Sequence, residues 1–146
     1  LTASFSNDAA PIASNWEISD STGTGNSIGS SMTESSGIFT FPGTGKWWII
    51  FQTGFILSSA SDRAITATIH TTVDNSSYTQ IALGTSHISN EGSTSTAITC
   101  QHFFDVTNTS NDKVQFTVNV QNASTSTKGD TNADVTTATF IRIGDT

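Results

Sequence analysis

The stretch from Lys46 to Leu57 is the most apolar in the chain, and its aromatic and β-branched side chains suit a pleated strand. Successive side chains of a strand point to opposite faces, so Trp47, Ile49, Phe51 and Phe55 share one face and Trp48, Ile50 and Ile56 the other. Both faces are apolar. A strand with one face in water alternates apolar and polar residues, whereas one that is apolar on both sides has to be covered twice. A partner sheet supplies one cover. No amphipathic helical spacing is present to supply the other, which leaves a second copy of the chain as the economical candidate.

Composition carries the same message along the whole length. The 146 residues include only 3 Leu but 46 Thr, Ile and Val, and these branched side chains favour strands over helices. Charged residues are 12% of the chain and Ser plus Thr number 48, so hydroxyls and amides provide the solubility. With 9% aromatic residues there is enough to bury, and the length predicts one domain with a real core. The expectation is a single all-β domain over residues 1–146, a sandwich or a barrel. Because the chain begins at Leu1 and not at Met, it is expected to be processed or cut from a longer one.

Clusters of Thr, Ser, Gly and Asn interrupt the sequence about every ten residues, and the intervening segments alternate with period two. Trp16 to Ile18 predicts a short strand, and Ser21 to Ser36 a long surface loop with a short strand around Ile28 to Met32. Ile38 to Phe41 alternates before the turn Pro42-Gly43-Thr44-Gly45. Ile65 to His70 has Ile65, Ala67 and Ile69 inward and Thr66, Thr68 and His70 outward. Tyr78 to Leu83 repeats this weakly. Ile98, Cys100, His102, Phe104 and Val106 share a face, as do Val114, Phe116, Val118 and Val120. Gln121 to Asp134 reads as a second long loop, and Val135 to Ile143 as the closing strand.

Several functions lose support at once. A net charge of −7 and five scattered Lys and Arg oppose nucleic acid and anionic lipid. The longest apolar run, Trp47 to Phe51, is far shorter than the roughly 18 residues of a membrane span. One cysteine, Cys100, excludes an internal disulfide and reads as a small buried hydrophobe. His70, His87 and His102 lie on separate elements without metal-ligand spacing, and Gly23-Thr24-Gly25 reads as a loop that lacks the context of a phosphate cradle. Asp105, Asp112, Asp130, Asp134 and Asp145 lie near loops, where a threefold axis would triple any one of them. Calcium is therefore the one cofactor left open, although no EF-hand spacing occurs. The glycosylation sequons at Asn75, Asn108 and Asn122 are about as many as this composition yields by chance. Trp16, outside the central strand, is the candidate aromatic for stacking on a sugar, against the alternative that it packs on a sheet edge.

The run Gly37-x-Phe39-x-x-Pro42-x-x-Gly45, leading into Trp47 and Trp48, resembles the signature of complement C1q-like and tumour-necrosis-factor-like domains. Asn111-Asp112-Lys113-Val114 is similar to that family's Gly-Asp turn before a valine-rich strand, with Asn111 in place of Gly. Thr139 to Ile143 is similar to its closing strand, without the closing Gly. Together the three segments cover residues 36–146. The resemblance implies a ten-strand jelly roll, an all-β, two-sheet antiparallel sandwich that forms a homotrimer with the Trp47 strand's sheet along the threefold axis. Trp47, Trp48, Ile49, Ile50, Phe51, Phe116 and Phe140 are the residues expected to build its core and interface.

Known members act by binding, so the resemblance implies no enzyme and no catalytic residues. The hydroxyl-rich, lysine-poor composition is similar to that of C1q-like modules in bacteriophage virions. The expected function is a non-enzymatic virion module, the receptor-binding tip of a tail fibre engaging a host surface glycan or protein. The alternatives are a capsid decoration trimer on the shell and a secreted C1q-like recognition protein.

Overall fold

In the computed structural model, which describes residues 1–19, 27–58 and 60–146, every regular element is a β-strand. In chain order these are β1 (Ala3–Ser6), β2 (Thr33–Ser35), β3 (Ile38–Thr40), β4 (Gly45–Ser58), β5 (Asp62–Thr72), β6 (Thr79–Ile88), β7 (Ser93–Val106), β8 (Lys113–Val120), β9 (Ser126–Asp130) and β10 (Thr137–Gly144). They form two antiparallel five-stranded sheets and hence a β-sandwich. One sheet runs β1-β9-β4-β10 with β7 also paired to β4, and the other runs β2-β3-β8-β5-β6.

The strand β4 organises the first sheet. β7 pairs with it from Gly45 to Ser58, so β10, opposite Lys46 to Gln52, and β9, opposite Phe55 and Ile56, both lie along its other edge. Its inward side chains Ile49, Phe51 and Phe55 are wholly buried. They meet Ile65, Ala67 and Ile69 of β5 and Val114, Phe116 and Val118 of β8, with the Phe51 and Phe116 ring centroids 4.7 Å apart across the sandwich. Thr53, in the same inward row, is equally buried and stays satisfied because its hydroxyl meets that of Thr136 at 3.1 Å.

The Gly37 to Gly45 segment has physical reasons for its residues. Ser36 and Gly37 both have positive φ and close a two-residue hairpin that sets Ser35 opposite Ile38. A β-carbon at Gly37 would lie 2.5 Å from the Ile12 carbonyl oxygen. Gly45, at φ 136°, packs so close to β10 that a β-carbon would lie 2.5 Å from the Gly144 carbonyl oxygen. Between them, Phe39 and Phe41 enter the core.

Two buried carboxylates fasten the loops. Asp112 accepts hydrogen bonds from the Thr107 and Asn108 amides at 2.7 and 2.8 Å, which holds the β7–β8 turn. Asp62 accepts from the amides of Ala64, Gln121 and Asn122 and from the Thr125 hydroxyl, tying the start of β5 to the loop after β8.

The structure corrects several local expectations. Trp16 to Ile18 is not a strand. Trp16 reaches the core from a loop, its indole N–H donating to the Ile12 carbonyl at 2.8 Å, and Ile18 is exposed. The N-terminal strand is instead β1, which pairs with β9 inside the segment expected to be a loop. The short strand expected at Ile28 to Met32 forms at β2, because the hairpin turn fixes pairing for the three residues next to it. On β5, Thr68 is buried rather than outward in water, its hydroxyl bonded to those of Thr117 and, at 2.9 Å, to His70 Nε2. The Gly23-Thr24-Gly25 loop lies outside the described residues.

Candidate functional site

Two surfaces collect the residues singled out by sequence. The first is the outer face of the β4 sheet. Register places Trp48 between Phe103 of β7 and Ile141 of β10, so one apolar row crosses three strands. Phe103 is 63% exposed and Ile141 40%, and Ile143 beside them is exposed as well. The Trp48 and Phe103 rings stack with centroids 5.8 Å apart and 25° between planes. The Trp48 indole nitrogen is buried and has no hydrogen-bond partner. At one end of the row, Lys46 stands opposite Asp105, both exposed. At the other, Ile50 is followed by Gln52, Gln101, Thr99 and Thr139, and the face becomes polar.

The seven residues expected to build the core and interface therefore separate. Trp47, Ile49, Phe51 and Phe116 are buried between the sheets, and half-buried Phe140 packs against Phe39, Phe41 and Phe116. Trp48 and Ile50 lie on the outer face. Sequence reasoning passed over Phe103, whose neighbour Phe104 supplies the inward phase of β7. The available signal was that Phe103 falls opposite Trp48 once β7 is paired with β4.

The second surface is an open groove of about 1390 Å³, walled by Trp16 to Ser19 and Ile28 to Glu34 and floored in part by β10 from Thr137 to Arg142. Trp16 is half-buried there, edge-to-face with Phe39 at 5.1 Å, and its only polar atom is committed to Ile12. Glu17, Asp130 and Asp134 give one end of the groove a negative character, and Arg142 at the other is paired with Asp145 at 2.6 Å.

The remaining candidates do not converge. Among the described residues, no three His, Cys, Asp or Glu side chains come together where a metal could sit; of the five aspartates considered for calcium, Asp130 and Asp134 share the groove, while Asp112 is inside its turn and Asp145 is against Arg142. Cys100 is buried with its thiol 3.7 Å from the Ala67 carbonyl oxygen, and burial pushes that thiol up to about 11. His70 and His102 are half-buried, and desolvation lowers both below the ordinary imidazole range. No protein-family model matches the chain, and no curated protein matches its sequence.

Proposed function

We propose that the chain is a binding module and not an enzyme: a C1q/TNF-like jelly roll that assembles as a homotrimer and serves as the receptor-binding tip of a phage fibre, engaging a host surface glycan or protein. The observation that carries this reading is the apolar row of Phe103, Trp48 and Ile141 on the outside of the sheet that contains the central strand, with Phe103 and Ile141 exposed and Trp48 half-buried between them. Isolated exposed apolar residues need no explanation, but a stacked and contiguous row across three strands fits a surface that is covered in use. The jelly-roll part is supported by the way the chain crosses between sheets from β3 to β4, β4 to β5, β6 to β7, β7 to β8 and β8 to β9. With the outer face engaged between copies, recognition falls to the part of the groove beside Trp16, away from Ile141, and to the Ser-, Thr- and Asn-rich loops, whose adaptable hydrogen bonding suits glycans and polar protein surfaces.

The test is binding of fluorescently labelled protein to a panel of bacterial strains. Saturable binding to some strains, competed by unlabelled protein, is expected, with periodate or protease treatment of the cells identifying glycan or protein as the receptor. Absence of saturable binding across the panel, together with tight binding to phage shells, would contradict a tip and indicate a decoration protein.

A further inference from the structure

Around Trp48 the outer face carries two charged side chains, Lys46 and Asp105, directly opposite each other on β4 and β7. They have opposite signs and both are exposed, yet they form no ion pair, the salt bridge among the described residues being Arg142 with Asp145. The charges border an apolar row, and covering that row removes water from them as well. A charge stripped of water without a partner is strongly unfavourable. An occupant carrying one sign would leave the other charge unpaired, whereas a second copy of this chain brings both.

We infer that Lys46 of each copy pairs with Asp105 of the next, so that the seam of the trimer is closed at one end by a ring of alternating charge. This rests on the trimeric reading above. A threefold assembly uses head-to-tail contacts in which different residues of the two copies meet, and a Lys–Asp pair satisfies that requirement at every interface of the ring. The pair sets rotational register, which the apolar row alone specifies poorly.

The charge-reversal variants K46E and D105K, each alone, test the pair by sedimentation across a dilution series. Each is expected to raise the concentration at which the trimer dissociates by at least about tenfold. Mixing the two variants in equal amounts is expected to recover part of the lost assembly, because contacts between unlike chains then restore opposite charges. A pair confined within one chain gives no such recovery. K46Q and D105N, which remove a charge without adding repulsion, should weaken assembly in the same direction and less, and circular dichroism of the dilute variants checks that each is folded. Single reversals that leave a wild-type-like trimer, or a mixture that recovers nothing, would overturn the pair while leaving the trimer standing. A wild-type chain that is monomeric at every concentration would overturn both.

Discussion

Trp47 and Trp48 are adjacent on β4, yet Trp47 is 6% exposed beneath the second sheet while Trp48 lies on the outer face beside exposed Phe103. The indole N–H of Trp47 donates to the Gly43 carbonyl at 3.2 Å, whereas that of Trp48 has no acceptor. Inward, Ile49 and Phe51 continue into a closed core; outward, Ile50 gives way to Gln52. Chemically similar side chains on one strand thus have different surroundings. What separates them is the cover, supplied from within the chain on one side and not on the other.

The largest expected effect is on the inward face. Phe51→Ala should cost about 3–5 kcal/mol, because the cavity opened against Phe116 cannot collapse between two sheets. Urea unfolding measures it, and a loss under about 1 kcal/mol would show that the face is not the core. Trp48→Ser should cost the isolated chain about 1 kcal/mol while abolishing assembly, read by urea unfolding at high dilution and by sedimentation. Trp47→Ser should do the reverse, with a large stability loss. Equal behaviour of the two Trp variants would erase the distinction between the faces.

Smaller effects sharpen the same contrast. Cys100 points inward, and its raised pKa and burial should slow reaction with a thiol reagent at pH 8 at least about a hundredfold relative to the urea-unfolded chain. Fast labelling of the native protein would mean that β7 opens readily. The smallest effect is on pH dependence. Desolvation lowers His70 and His102 in the folded state, so the unfolded chain binds protons first as pH falls through the ordinary value of 6.5. Stability contributed by keeping them neutral is complete above that value and declines below it. The unfolding midpoint should therefore drop between pH 7.5 and 5.5, and His102→Gln should flatten part of the drop. A midpoint that rises on acidification would contradict the sign.

Strands with one apolar and one polar face were legible in the sequence. Val114 to Val120 reads as an inward stripe and forms β8, and Ile65 to Ile69 forms the buried row of β5. What escaped was pairing without an apolar signature. β1 and β9 are built largely of Ser, Thr, Ala, Lys and Gly, and they join through backbone hydrogen bonds that leave no pattern in residue type. The first part of β7, Ser93 to Ala97, was missed for the same reason, since its length follows β4 and not its own hydrophobicity. Trp16 misled in the opposite sense: its contacts with Phe39 and Phe116 are made from a loop, and an aromatic residue followed by alternation mimics a strand. At the outer face, the doubly apolar β4 was evident from sequence, but Phe103 and Ile141 join Trp48 only through strand pairing.

The most direct test of the central claim, that the outer face of β4 is a seam between copies, is molar mass in solution by light scattering across a dilution series. A stable mass of three times the 15.3 kDa chain is expected, with loss of that mass in Trp48→Ser. A mass of one chain at every concentration would contradict it, leaving Trp48, Phe103 and Ile141 as an outer row that no copy covers.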